Sequence, residues 1–257
     1  MSHHYLLASD FDGTLKQHPS ITEADRQAIR AFRAAGHLFG VITGRSHAMI
    51  EAELRHERIE VDFLVCNNGA LIYDTDGKLL DEAVLDPKTV KGILELLDKQ
   101  SDIIYGASGS VGFFTALSGQ VSSTSATENI RKHAANRETV LAKNHITAFF
   151  LRTSDKDRTH ALAQHITNTF RDAQAHINSE TVDIGPLGHD KGTGILKLAE
   201  LYPSYEVIAI GDHLNDLPMI KAVRSFAIAS GHPDLHDHAD NVVHSVAECI
   251  DQLLQQK

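Results

Sequence analysis

Four short polar tracts carry the groups that could do chemistry, and an apolar run leads into three of them. Asp10-Phe11-Asp12-Gly13-Thr14 follows Tyr5 to Ser9. Thr43-Gly44-Arg45 closes the run that begins at Leu38. Lys191 opens an amphipathic segment, and Gly211-Asp212-His213-Leu214-Asn215-Asp216 follows Glu206 to Ile210. In an extended segment residues i and i+2 share a face, which predicts neighbouring carboxylates at Asp10 and Asp12. Like charges that close repel unless a cation intervenes. A carboxylate so kept ionised can attack phosphorus, and a second one can pass the proton. Asp212, Asn215 and Asp216 add oxygen ligands of the kind magnesium takes. The Thr43 hydroxyl and Gly44 amide are neutral donors for a phosphate, and Lys191 is a compact cation for it.

Each tract has a plainer reading as well. Asp-Phe-Asp-Gly is also a strand-to-turn junction, since Asp and Gly favour turns. Asn215 or Asp216 could cap the helix that follows. Lys191 at a helix start opposes the helix dipole, which points to a task for it. The convergence of all four tracts on one strand edge favours the chemical reading, because ligands of open parallel sheets bind at strand C-termini.

The elements that must position these groups follow from periodicity. Strands are expected at Tyr5 to Ser9, Leu38 to Thr43 and Phe63 to Cys66, separated by helices up to Ala35, entered with Ser20 and Glu23 at capping-box spacing, and over Ser46 to Glu57. This β-α-β-α-β order implies a parallel sheet with right-handed crossovers. A hairpin around Asp76-Gly77 follows. Short strands then alternate with helices at Pro87 to Lys99 and Asp155 to Phe170, the latter capped by Ser154 or Asp155. After Gly185-Pro186 the α/β rhythm returns. The expected division is a core of residues 1–81 and 187–257 around an inserted α+β domain of residues 82–186. Gly106, Gly109, Gly112 and Gly119 read as turns of that insert, and Gly119 to Ala126 carries little signal.

Composition narrows the partners. The chain has 257 residues and a formal net charge of −10, which argues against nucleic acid or an anionic membrane as the main partner. No apolar stretch approaches membrane-spanning length. The early acidic residues argue against a signal peptide. Cys66 and Cys249 read as reduced, buried residues of a cytoplasmic protein. His232, His236 and His238 lie among Asp234, Asp237 and Asp240, but a polar turn with a short helix explains them better than a transition-metal site does.

The tracts together resemble the four motifs of the haloacid dehalogenase (HAD) superfamily. Asp10-Phe11-Asp12-Gly13-Thr14-Leu15 resembles the first, Val41-Ile42-Thr43-Gly44-Arg45 the second, Lys191-Gly192 the third and Gly211 to Asp216 the fourth. Asn67-Asn68-Gly69-Ala70 is similar to a tract of the Cof-type branch, subclass IIB. The resemblance implies an α/β fold, a Rossmann-like parallel-sheet core with a C2B-type α+β cap. It implies Asp10 as nucleophile and metal ligand, Asp12 as acid/base and carbonyl ligand, and Asp212 on a magnesium ion. Phe11, Thr43, Gly44, Lys191 and Asn215 are implied at the phosphate, with Asp216 supporting the metal or orienting Lys191. The chain departs from the pattern at His213, where glycine is frequent, and at Ser230-Gly231-His232. The expected activity is magnesium-dependent hydrolysis of small phosphomonoesters, such as sugar phosphates or phosphorylated cofactors, through an aspartyl-phosphate. A phosphomutase-type transferase and a non-catalytic phosphometabolite-binding module are the alternatives.

Overall fold

The computed structural model describes residues 4–17, 19–118, 134–178 and 181–255. The Gly119 to Ala126 segment lies outside them. Two sheets organise the described residues. The larger contains β1 (Tyr5–Ser9), β2 (Leu38–Ile42), β3 (Phe63–Cys66), β4 (Leu71–Asp74) and β5 (Leu79–Glu82). The smaller holds β6 (Ile103–Gly109), β7 (Gly112–Ser118), β8 (Ile146–Thr153), β9 (Ala173–Asn178) and β10 (Thr181–Pro186). The chain then re-enters the larger sheet through β11 (Glu206–Gly211), β12 (Arg224–Ile228) and β13 (Asn241–Val243).

The larger sheet runs β13-β12-β11-β1-β2-β3-β4-β5. Every pairing from β13 to β3 is parallel, and the β4–β5 hairpin extends it antiparallel. Strand alternation sends Leu7, Val41, Ile208 and Ile210 to one face. There they pack with Ile29 and Phe32 of α1 (Glu23–Ala34), Ile50 of α2 (His47–Glu57) and Ile250 of the last described helix (Val246–Gln255). Leu6, Ala8, Ile42 and Ala209 face the opposite way, onto Ile195 and Leu198 in Lys191–Leu201 and Met219 in Leu217–Ala222. The result is an α/β sandwich of three layers. β1 lies between β11 and β2, so the strand order reverses direction there. That is the crevice position of an open parallel sheet.

The smaller sheet is antiparallel, in the order β7-β6-β8-β10-β9. One face is covered by α3 (Pro87–Leu97) and by α5 (Lys156–Thr169), with α4 (Arg137–Leu141) at its side. Ile93, Leu97, Leu162 and Ile166 meet Tyr105, Phe149, Val182 and Ile184 in this second core. Among the described residues the remaining α-helices are α6 (Lys191–Leu201), α7 (Leu217–Ala222), α8 (Pro233–His236) and α9 (Val246–Gln255).

Several local expectations shift. Helix α1 is capped by Thr22 rather than Ser20, because the Thr22 hydroxyl accepts the Asp25 amide. Asp155 caps α5. Gly106 is no turn: it sits inside β6, where a Cβ would stand 2.1 Å from the Phe114 carbonyl oxygen. Gly109 ends that strand, and Gly112 opens β7 at φ +130°. His232 caps α8, accepting the Asp234 amide at Nδ1, and His236 bonds the Ile228 carbonyl. Cys66 and Cys249 are buried and free, and burial pushes both thiols up. Among the described residues no helix is long and apolar enough to cross a membrane.

The two ends of the larger sheet's sequence are tied by one buried carboxylate. Asp25 on α1 accepts the Ala247 amide of α9 at 2.8 Å and the Thr22 hydroxyl at 2.6 Å. Asp25→Ala would leave that amide without its acceptor, at a cost of about 1–3 kcal/mol. The expected result is a lower urea midpoint with an unchanged m-value, measured by equilibrium unfolding.

Candidate active site

The four tracts meet at the C-terminal edge of β1, β2 and β11. Asp10 leaves β1 with its amide on the Ile210 carbonyl of β11, at 2.9 Å. Thr43 leaves β2 with its amide on the Val65 carbonyl of β3, at 2.9 Å. Lys191 is the first residue of α6. Asp190 caps that helix in a reciprocal box with Thr193, so the lysine is fixed where the chain turns into the helix.

Lys191 is 1% exposed and donates to Asp10 Oδ1 at 2.5 Å and to Asp216 Oδ1 at 2.6 Å. Burial opposes its charge, but Asp10 and Asp216 outweigh burial and hold its pKa above the ordinary lysine value. Burial likewise pushes the Asp10 carboxyl well up. Lys191 counteracts that rise, while Asp216 and Asp212 add to it. Asp212 is raised by burial too, against the pull of the Thr14 hydroxyl that donates to its Oδ1 at 2.7 Å.

One ammonium is thus bonded to two of three clustered carboxylates. Asp10, Asp212 and Asp216 each offer an oxygen within 4.8 Å of the others. The surplus negative charge and the all-oxygen donor set fit a hard divalent cation such as magnesium. Asp216 takes a different place from a helix cap. Its Oδ2 accepts the amides of Asp212 and His213, both at 3.0 Å, and it makes no capping bond to α7. It shapes the turn after β11 while its other oxygen holds Lys191.

The Asp10–Asp12 expectation needs correction. The chain turns at Phe11 instead of staying extended, so the two carboxylates diverge. Asp10 points into the buried cluster. The Asp12 side chain is 52% exposed and is gripped by Arg45, with Nε and Nη2 bonds of 2.7 and 2.6 Å. The Arg45 guanidinium also lies 5.2 Å from the buried Phe11 ring centroid and 3.7 Å from Glu53. Gly13, at φ +90°, lets the chain leave against Asp212: a Cβ there would meet Asp212 Oδ2 at 2.3 Å.

Thr43 is buried, and its hydroxyl oxygen accepts the Arg45 amide at 3.2 Å, which leaves its proton free to donate. Gly44 follows it. Asn215 sits partly buried on the turn after β11, with no side-chain hydrogen bond among the described residues. The structure thus brings Asp10, Lys191, Asp212 and Asp216 into one cluster and turns the Asp12 carboxyl away to Arg45.

Sequence reasoning assigned no role to Arg45, Thr14 or Asp183. Arg45 and Thr14 were visible inside the motifs, but nothing in a sequence says which carboxylate a given arginine or hydroxyl will meet. Asp183 had one faint signal: a lone acid between Val182 and Ile184 on a strand. Those two enter the second core, which sends Asp183 to the opposite face, toward the first domain's strand edge. There its carboxyl accepts Asn68 Nδ2 at 3.1 Å.

A model of the haloacid dehalogenase-like hydrolases matches residues 7–250. The chain is 24% identical over 282 aligned positions to the 5-amino-6-(5-phospho-D-ribitylamino)uracil phosphatase YwtE of Bacillus subtilis, covering 96% of this chain and 97% of that one. It is 25% identical over 269 positions to the pyridoxal phosphate phosphatase YbhA of Escherichia coli, covering 95% and 97%. A haloacid dehalogenase-like hydrolase from B. subtilis shares the fold, with a TM-score of 0.80 at 21% identity over 96% of this chain and 99% of that one. With its parallel-sheet core, inserted cap and matching model over nearly the whole length, the chain belongs to the haloacid dehalogenase-like hydrolases, in the Cof-type branch of phosphatases.

Proposed function

We propose that this phosphatase hydrolyses small phosphomonoesters, sugar phosphates or phosphorylated cofactors, with magnesium and through an aspartyl-phosphate on Asp10. The observation that carries this is the buried Lys191 between Asp10 and Asp216, with Asp212 beside them. The two curated relatives act on a phosphorylated ribitylaminouracil and on pyridoxal phosphate, which supports the substrate class. The domain limits 1–81, 82–186 and 187–257 belong to the same proposal, with specificity assigned to the insert.

Each step draws on the chain's own side chains. Lys191 holds Asp10 Oδ1, which leaves Oδ2 to attack phosphorus. The Thr43 hydroxyl, the Gly44 amide and Lys191 bind the phosphoryl oxygens, and Asn215 reaches the same group. The ester P–O bond breaks as Asp12 gives its proton to the leaving oxygen. Asp12 must exchange Arg45 for that oxygen, and its exposed position permits the move. In the second half Asp12 takes a proton from water, whose oxygen attacks phosphorus and displaces the Asp10 carboxylate. Asp10, Asp212 and the Asp12 carbonyl would hold the magnesium, with Asp216 behind them. When bound, the ion offsets phosphoryl and carboxylate charge at the site.

Phosphate release from a panel of phosphate esters tests the reading. Asp10→Asn should lower turnover by about 10⁴-fold or more, and undiminished turnover would refute the mechanism. Chelation with EDTA should stop the wild-type reaction and added magnesium restore it. Asp212→Asn should raise the half-saturating magnesium concentration at least about tenfold. Lys191→Met removes the cation and leaves two buried carboxylates uncompensated. It should cost activity and also about 3–5 kcal/mol of stability in chemical denaturation.

A further inference from the structure

The inserted domain meets the core on the asparagine pair that follows β3. Asn67 and Asn68 are both left-handed, at φ 50° and 53°, a conformation asparagine tolerates better than most residues. Asn67 donates to Thr147 Oγ1 of β8 at 2.5 Å and accepts from Ser108 Oγ of β6 at 3.2 Å. These contacts are buried, and Thr147 closes them by bonding the Ser108 carbonyl. Asn68 reaches the next strand, β10, through Asp183 Oδ2. Three adjacent cap strands thus rest on two core side chains.

The third contact differs from the first two. Asp183 is only partly buried, and its other carboxyl oxygen has no hydrogen-bond partner among the described residues. It also lies directly against the second motif. A Cβ built on Gly44 would stand 2.9 Å from Asp183 Oδ2 and 3.1 Å from Asn68 Nδ2. The carboxyl therefore borders the backbone that is read above as a phosphoryl-oxygen site.

A carboxylate is a poor ligand for phosphate itself, because the charges are alike. Burial pushes Asp183 up to about 7, against the Asn68 bond and the charge of Lys191. A group in that state accepts a hydrogen bond when ionised and donates one when protonated. Its natural partner is a hydroxyl, which does both. The group that lies next to a bound phosphoryl is the leaving portion of the ester. We propose that Asp183 is a specificity-determining residue of this phosphatase, hydrogen-bonding a hydroxyl of the leaving group so that phosphorylated sugars and polyols outcompete esters that lack hydroxyls. This rests on the reading of Thr43 and Gly44 as the phosphoryl site. The competing role is a latch that only pins the cap to Asn68.

The two roles separate by substrate. The full chain, with magnesium, is assayed on ribose and glucose phosphates and on p-nitrophenyl phosphate, whose leaving group bears no other hydroxyl. The readout is the ratio of kcat/KM between the better sugar phosphate and the aryl ester. In Asp183→Ala this ratio should fall about 10- to 100-fold, mainly through KM. Asp183→Asn keeps the shape and a hydrogen-bonding end and should recover part of it. A ratio that moves less than about threefold in both variants, or equal losses on both esters, overturns the proposal and leaves Asp183 a latch. Asp10→Asn, run alongside, separates the two readings. If it still turns over, the phosphoryl site is misassigned and both readings fall. If it is silent while the ratio stands still, only the Asp183 assignment falls.

Discussion

A buried ammonium held between two buried carboxylates is the constraint around which the rest of the molecule is arranged. Lys191 reaches Asp10 from α6 and Asp216 from the turn after β11, at 2.5 and 2.6 Å. Removing a charge from water costs several kcal/mol unless close partners replace the lost hydration. Neither carboxylate does so alone. The pair must be brought in from β1 and from beyond β11, which requires those strands to be neighbours and in register. Tyr5 pairs with Glu206 and Ser9 with Ile210, which aligns the two strand ends. Asp216 then spends its second oxygen on two backbone amides, so the same residue holds the lysine and the loop that presents Asp212.

The charge balance at this edge explains how an acidic protein can handle an anion. With a net charge of −10 the overall field repels phosphate. The local site concentrates that problem, since one lysine is bonded to two of three clustered carboxylates. The divalent cation of the proposed function would answer both difficulties at once, by taking the surplus charge and offering a positive centre. Arg45 performs a related task one step away. By holding Asp12 outside the cluster, it keeps a fourth carboxylate from adding to the repulsion, and the proposed mechanism has it release that exposed group to the leaving oxygen.

The inserted sheet contributes by contact rather than by motif. Its helices cover one face, and the other descends on Asn67 and Asn68. Ser108, Thr147 and Asp183 come from three neighbouring strands, far apart in sequence. The seam there is polar, with Ser108, Thr147 and Asp183 all hydrogen-bonded to one of two left-handed asparagines. Such a seam sets position through directional bonds, where an apolar one would only set proximity.

Much of the arrangement was legible in the sequence. Apolar runs of strand length, each ending in Asp, Thr or Gly-Asp, placed the tracts on one edge, because parallel strands with right-handed crossovers leave no other option. The four motifs single out Asp10, Lys191 and Asp212 by residue type and position alone. Other details depended on the three-dimensional fold. The divergence of Asp12 from Asp10 follows from a turn at Phe11, which the Asp and Gly of the tract favour without fixing where the chain bends or where each carboxylate ends up. The grip of Arg45 on Asp12 spans 33 residues, and the bond from Asn68 to Asp183 spans 115. Local sequence determines which groups are available and which face of an element they occupy, through the periods of helix and strand. Pairings between distant groups depend on how the elements pack, since only packing sets the distances over which hydrogen bonds and charges act.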